Sequence, residues 1–324
     1  MIVQPMGKGQ LATTGERNIA MEASTATPTT RTTTTRSAFP LKFVLIAFAF
    51  TWVFWGLTVL EGRGLISSLP VPALFLGAFG PMVAAVVLTA HEGGRAGLRS
   101  LLSRVVRWRV APLWYGVVLL GPIVLQLLAM ALNVLLGGPP PDPLAMIGVL
   151  PTVLALSVYM LIQVGIGEEI GWRGYALPKL QAGYSALISS LIVGVLWALW
   201  HLPLFFNPAT GYYITPFWVF LVFLLPFAIL YTWVFNSTGG SVLMVMILHA
   251  VVNASSTPLW RSIPEYSTME STTTAFITYN YLLQAAVLWV GAIVVVLIYG
   301  ATNLSRRSKQ LLANAGGESH PRVQ

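Results

Sequence analysis

Once charges that merely flank the end of a span, such as Lys42 and Glu61, are set aside, five ionisable side chains remain in or beside the long apolar runs of this chain, where a charge is costly. They are Glu168, Glu169, Arg173, His201 and His249. Ionisable residues in a membrane helix are by default candidates for a functional site. A carboxylate can act as a base toward water, an arginine can orient a carboxylate, and an imidazole or an amide can stabilise an oxyanion. Together with Asn253, the set is chemically sufficient for hydrolysis of a peptide bond.

The spacing of the acidic pair predicts different roles for its two members. If the helix continues to Arg173, Glu169 and Arg173 lie four residues apart on one face and can form an ion pair. Glu168 lies about 100° round the helix from Glu169, so its carboxylate is left free for chemistry. The alternative interpretation of this stretch is an interfacial charge cluster that caps a membrane helix.

Each histidine shares a helix face with a second side chain. Trp197 and His201 are four residues apart, and Pro203, which follows them, is expected to kink or end that helix. His249 and Asn253 are also four residues apart, and the pair offers an amide donor beside an imidazole. A single membrane histidine can be a core group satisfied by a backbone carbonyl, but two histidines and a Glu pair on three separate spans favour a site.

Other hydrolase chemistries do not fit the sequence. The chain has no cysteine, which excludes a Cys nucleophile, thiolate metal sites and disulfides. It has no H-E-x-x-H zinc motif and no G-x-S-x-G elbow. Asp142 is the only aspartate, so an aspartyl dyad cannot be built.

The composition predicts an all-α, polytopic membrane bundle. Of the 324 residues 56% are hydrophobic and 9% are charged, against about 25% charged in a typical soluble domain. Eight apolar runs are near the roughly 20 residues that a spanning helix needs. They cover 43–60, 72–90, 113–136, 145–167, 185–206, 215–235, 240–257 and 279–300. We expect a disordered Thr-rich tail over 1–42, a transmembrane domain over 43–300 and a basic tail over 301–324.

Charge distribution predicts the orientation of these spans. The net charge of +8 does not indicate nucleic-acid binding, because the basic residues lie between spans. With the N-terminus inside, all of the eighteen Lys and Arg except Arg63 and Arg261 fall in inside segments. The positive-inside rule therefore predicts a cell-membrane protein with both termini in the cytoplasm. Residues 91–109 are expected to form a basic interfacial helix.

These motifs resemble the CPBP family (CAAX protease and bacteriocin-processing, also called Abi), which includes the type II CAAX prenyl endopeptidases. The family pattern is E-E-x-x-x-R on one span, F-x-x-x-H on the next and H-x-x-x-N two spans later. Here it corresponds to Glu168 to Arg173, Trp197 to His201 and His249 to Asn253, with Trp197 where the pattern has Phe. The resemblance covers about 150–260.

The resemblance implies a helical intramembrane peptidase in which Glu168 activates water with help from His201. It implies that His249 and Asn253 stabilise the oxyanion. Members of the family have been described both as metalloproteases and as glutamic proteases, and two His and a Glu could hold zinc with an open fourth position. We expect chemistry without a cofactor, with zinc on Glu168, His201 and His249 as the alternative.

Three functions remain open at this point. The favoured one is an intramembrane endopeptidase that takes a peptide or protein from the cytoplasmic side, either a prenylated CAAX-type tail or a bacteriocin-like peptide. The second is a catalytically inactive immunity or scaffold protein of the same fold. The third is a proton-coupled transporter, against which the missing internal repeat weighs.

The predicted spans leave one geometric conflict. Glu168 follows the fourth span near the cytoplasmic face, whereas His201 lies roughly 24 Å along an outward-running helix. The two side chains can meet only if the fourth helix lies deeper or if 168–184 dips into the membrane.

Overall fold

Helices and their connecting loops make up the described part of the protein, which is all-α as predicted. The computed structural model describes residues 39–69, 72–267 and 273–306, and these contain no β-strand. Most of the tail predicted over 1–42, and residues 307–324 of the basic tail, lie outside the described residues. The helices are α1 (Leu41–Gly62), α2 (Ala73–Gly77), α3 (Gly80–Val105), α4 (Pro112–Leu135), α5 (Pro143–Gly148), α6 (Leu150–Met160), α7 (Leu177–Gln181), α8 (Ala186–Trp200), α9 (Phe217–Ser237), α10 (Val242–Trp260) and α11 (Thr274–Tyr299).

Seven helical segments in the described residues are long and apolar enough to cross a membrane. They are α1, α4, the segment Pro143–Gln181, the segment Ala186–Phe206, α9, α10 and α11. The chain is therefore a multi-pass membrane protein. The predicted span over 72–90 differs, because there the chain forms the short α2 and then the start of α3, which runs on into a basic sequence. The interior helix α10 packs against α4, α6 and α9.

The helix α3 contains a break that separates its apolar and basic halves. Gly94 has φ 54° and ψ −145°, outside the helical region. A positive φ is accessible to glycine at little cost because glycine has no Cβ. The helix beyond this point reaches Val105 and includes Arg95, Arg99 and Arg104, which agrees with the basic helix predicted over 91–109.

The fourth span extends beyond residue 167, where the sequence-based prediction of 145–167 ended it. The helical segment continues to Gln181 and includes two π-helical stretches, Leu161–Glu169 and Trp172–Ala176. Residues 168–181 are therefore helical and do not form a loop, and Glu168, Glu169 and Arg173 are buried. Their charges suggested a loop, but inside the bundle these polar groups contact one another and neighbouring aromatic side chains.

One end of the bundle, which we call the basic face, joins segments that sequence analysis placed on one side. Arg107 Nη1 donates to the Gly239 carbonyl at 2.7 Å. Asn236 Nδ2 donates to the Asn303 carbonyl at 2.7 Å, and the Ala186 amide donates to the Thr302 carbonyl at 2.9 Å. The basic face is thus formed by residues 104–109, 179–186, 236–241 and 300–306.

The other end, which we call the opposite face, joins the remaining loops. Arg63 Nε donates to the Phe206 carbonyl at 3.1 Å. The Asp142 amide donates to the Ser262 carbonyl at 2.9 Å. This face is formed by residues 62–65, 137–142, 206–214 and 260–267, and the two sets of loops are those that the alternation of spans predicts. The assignment of the basic face to the cytoplasm stays a prediction.

Candidate active site

Glycines allow the helical segment that holds the acidic pair to pack closely on α3. A Cβ at Gly167 would lie 2.8 Å from the Ala78 carbonyl oxygen. A Cβ at Gly171 would collide with the backbone and ring of Pro81. Small residues at membrane-helix contacts permit such backbone approach. The glycines therefore hold the segment deep in the bundle, and its π-helical geometry is of a kind that is frequent at functional sites.

Glu169 is the hub of a fully buried ion pair. Arg173 Nη1 donates to Glu169 Oε1 at 2.9 Å, and both side chains are 0% exposed. His249 Nδ1 lies 2.8 Å from the same carboxylate oxygen. The predicted pairing of Glu169 with Arg173 is present, and the structure adds His249 to it.

The Arg173 guanidinium is also held by two aromatic rings. Its Cζ lies 4.7 Å from the centre of the Trp197 ring and 4.9 Å from the centre of the Tyr231 ring. Cation–π contacts of this kind stabilise a desolvated arginine. Arg173 is therefore fixed by a counterion and by two ring faces, which fits a positioning role.

Glu168 has different contacts from its neighbour. Trp197 Nε1 donates to Glu168 Oε2 at 2.6 Å. Glu168 makes no ion pair within the residues that the structure covers. The neighbouring cation is engaged by Glu169, so the Glu168 carboxylate keeps a free oxygen.

His201 has a defined tautomer in its neutral form. Its Nδ1 lies 2.8 Å from the Trp197 carbonyl oxygen. A carbonyl oxygen only accepts, so the proton sits on Nδ1 and the lone pair is on Nε2. The ring packs against Trp200 and Tyr212 at centroid distances of 4.7 Å and 5.7 Å. Trp197 thus contacts Glu168 with its side chain and His201 with its backbone.

A cavity of about 480 Å³ brings together four of the six predicted site residues. Glu168, His201, His249 and Asn253 line it. Glu169 and Arg173 are not among its lining residues and lie behind this wall. The four residues that line the cavity can therefore contact a substrate, whereas Glu169 and Arg173 can only position them.

The conflict over depth disappears once the fourth helix is extended. Glu168 lies thirteen residues from Gln181, about 20 Å along the helix, and His201 lies fifteen residues from Ala186, about 22 Å. Both helix ends lie at the basic face. The two side chains are therefore at similar depth, as the alternative with a deeper fourth helix required.

Sequence reasoning missed one contributor to the site and one contact of another. Tyr231 contacts Arg173, Trp197 and His249 from α9. Trp197 was identified by its helical face and by the family pattern, but not as the donor to Glu168. A tyrosine within an apolar span is a weak signal, because its ring suits a core and its hydroxyl suits a polar site. No spacing rule connects Tyr231 to a residue on another helix.

The side chains at the site do not match the zinc alternative. In the stretches 39–69, 72–267 and 273–306, no three His, Asp or Glu side chains are grouped so that they could hold a metal ion. His201 Nδ1 and His249 Nδ1 are both engaged by oxygen acceptors. The proposed ligands Glu168, His201 and His249 do not form a metal-binding group in this arrangement, and we derive no step through a metal.

Two comparisons with known proteins bear on this site. The family model "Type II CAAX prenyl endopeptidase Rce1-like" matches residues 150–255. A protein of Methanococcus maripaludis, CAAX prenyl protease 2, is 27% identical over 224 residues, which cover 66% of this chain and 82% of the relative. The matched segment 150–255 contains all six predicted site residues.

Proposed function

Because these matches assign the chain to the CPBP family of CAAX prenyl protease-like intramembrane endopeptidases, we propose that it hydrolyses peptide bonds with water activated by Glu168. One observation carries the proposal: Glu168 lies at the cavity wall and, within the described residues, pairs with no cation, whereas the adjacent Glu169 contacts both Arg173 and His249. A carboxylate in that position can accept a proton from water.

The steps follow from the side chains at the wall. Glu168 takes a proton from water, and the water oxygen attacks the carbonyl carbon to give a tetrahedral oxyanion. The protonated Glu168 then gives its proton to the leaving amine as the carbon–nitrogen bond breaks. His201 Nε2, which carries the lone pair, faces the same cavity and can orient the water through a second acceptor.

Two groups can donate to the oxyanion, and they differ in what they require. The Asn253 amide is a donor at any pH and lines the cavity with an exposed side chain. His249 already directs Nδ1 at Glu169, so its Nε2 can donate only when the ring is an imidazolium. Glu169 is the anion that would stabilise this imidazolium. With Nδ1 held by Glu169, His249 can therefore donate to the oxyanion only as an imidazolium.

The substrate that we propose is a peptide or a protein segment at the membrane. The name of the archaeal relative, CAAX prenyl protease 2, makes a prenylated CAAX-type tail the first candidate to test. A bacteriocin-like peptide is the second. Metal-independent chemistry is part of the proposal, since the residues at the wall supply a base and oxyanion donors by themselves.

The test is cleavage of a prenylated CAAX reporter and a peptide library by purified protein in detergent. Wild-type protein, Glu168→Gln and the control Glu92→Gln, which removes a carboxylate outside the cavity, are compared with and without a chelator. We expect wild type and Glu92→Gln to cleave and Glu168→Gln to be folded but inactive. Turnover by folded Glu168→Gln protein would remove Glu168 from its role. Loss of activity with chelator and its return with zinc would overturn the metal-independent mechanism.

A further inference from the structure

A second cavity of about 330 Å³ adjoins the first. Gly211, Ser256, Thr257, Tyr281 and Gln284 line both cavities. The second cavity continues to Arg261 and Tyr266, which belong to the opposite face. The first cavity is itself lined by Thr210 and Tyr212 of the opposite face. Together the two cavities extend from the carboxylate of Glu168 to that face, and we call this extent the path.

The other direction is closed. The lining of the first cavity contains no residue of the basic face. Trp172 and Leu177, which follow Glu168 toward that face along the helical segment Pro143–Gln181, are both 0% exposed. A peptide that came from the basic face would have to displace these packed side chains.

The second cavity has the chemistry of a peptide-binding groove. Ser256, Thr257 and Gln284 offer uncharged polar groups along one wall, and Tyr281 offers a ring. Asn280 also lines it and is 7% exposed. Its Nδ2 donates to the Phe276 carbonyl at 2.9 Å, but within the described residues its Oδ1 has no donor. Because that oxygen is buried, the polar groups open to a bound peptide are those of Ser256 and Thr257.

The length of the path fits a short extended segment. His249 and Thr257 are eight residues apart on α10, about 12 Å along the helix. An extended peptide advances about 3.3 Å per residue, so three to four residues cover this distance. The second cavity thus begins where a chain would be three or four residues from the scissile bond.

We propose that the second cavity is a substrate subsite, and that an extended peptide reaches Glu168 from the opposite face. This inference rests on the proposed function. With the basic face in the cytoplasm, as the positive-inside rule predicts, the substrate is a peptide segment on the outer side of the membrane. That differs from the cytoplasmic access expected from the sequence. Of the two substrates proposed above, access from the opposite face favours the bacteriocin-like peptide over a prenylated tail in the cytoplasm.

Cysteine labelling tests the path, and the chain contains no native cysteine. Thr257→Cys, which lies where the cavities join, is compared with two exposed controls, Ser103→Cys near the basic face and Glu265→Cys at the opposite face. A membrane-impermeant maleimide is added to sealed cells and to inverted vesicles. We expect Thr257→Cys and Glu265→Cys to react with reagent added on one side of the membrane, and Ser103→Cys to react with reagent added on the opposite side. Reaction from the Ser103 side, or no reaction until the protein is denatured, would overturn the path.

A second readout connects the path to catalysis. A bulky maleimide on Thr257→Cys should lower peptide cleavage by more than about tenfold, since small misplacements in a site cost this much or more. The same label on Glu265→Cys should leave cleavage unchanged. Equal cleavage by labelled and unlabelled Thr257→Cys protein would overturn the subsite. Absence of cleavage in every unlabelled protein would instead contradict the proposed function, while the sidedness of labelling would still report the path.

Discussion

Replacing Glu169 by Gln should destabilise the protein far more than the same replacement at Glu168. Both changes replace a carboxyl group by an amide on adjacent, buried side chains. Glu169 is the counterion of Arg173 at 2.9 Å and also contacts His249 at 2.8 Å. Glu168 accepts from the indole N–H of Trp197 and, in the part of the chain that the structure describes, pairs with no cation. The pair of variants therefore separates the loss of an ion pair from the loss of a carboxylate.

The magnitude follows from these contacts. Glu169→Gln leaves Arg173, which is 0% exposed, as a buried charge without a counterion, and breaking a buried pair in this way costs about 3–5 kcal/mol. Glu168→Gln keeps an oxygen that can accept from Trp197, so its effect should stay under about 1 kcal/mol. With about 2–4 °C per kcal/mol for soluble domains of 150–250 residues, the melting temperatures should differ by the order of 10 °C.

The assay is thermal unfolding of the purified variants in one detergent, followed by tryptophan fluorescence and by the monodispersity of the heated samples. Glu92→Gln is the matched control for removing a partly exposed carboxylate. Glu168→Gln should melt close to wild type while its turnover is abolished. Equal melting temperatures for the two site variants, or a lower one for Glu168→Gln, would refute the division of the acidic pair into a supporting and a catalytic member.

Three further changes have expected outcomes. Trp197→Phe keeps an aromatic ring but removes the donor to Glu168, so we expect retained turnover and an unfolding free energy lower by about 1–3 kcal/mol, measured by thermal melting. Arg261 lies at the wall of the second cavity. Arg261→Gln should raise KM about tenfold for peptides with a free carboxylate five residues beyond the scissile bond, as expected for the loss of an ionic hydrogen bond. KM should not change when Arg261→Gln acts on the amidated peptides or when Arg261→Lys acts on the free carboxylates. Burial acts to raise the pKa of Glu92, but hydrogen bonds, the largest of them from Lys179 at 2.6 Å, outweigh burial and hold that pKa below its ordinary value. A carboxyl group whose pKa is lowered in the folded state stabilises the fold at pH values above its unfolded-state pKa of about 4.3. Because Glu92 is partly exposed, the stability difference between wild type and Glu92→Gln at pH 7 should stay under about 1 kcal/mol. This difference should vanish as the pH falls through the lower pKa of the folded state.

The helical class of the fold was predictable because a membrane imposes a simple rule on sequence. A spanning helix must be about 20 residues long and mostly apolar, and seven helical segments meet this criterion. The span over 72–90 was less regular because α2 precedes α3 and Gly94 breaks α3. These features depend on backbone conformation at single residues, which hydropathy does not encode.

The end of the fourth span was not predictable from hydropathy for a physical reason. The stretch after 167 contains two glutamates and an arginine, each of which is costly in a bilayer when it is alone. Inside the bundle their cost is offset by mutual pairing, by His249 and by the rings of Trp197 and Tyr231. A scale that treats residues one at a time counts the charges and omits these partners.

Local and tertiary contacts in the site differ in how far sequence could reach them. The contact between Glu169 and Arg173 follows from a four-residue spacing on one helix, and the structure has it at 2.9 Å. The same spacing places His249 and Asn253 on one face, yet His249 directs Nδ1 at Glu169 on another helix. Because Asn253 has no such partner in the described chain and lines the cavity, the two residues cannot be equivalent donors. Asn253 can donate to an oxyanion as it stands, whereas His249 must first be protonated, and this difference arises from a helix–helix contact that no spacing within α10 could reveal.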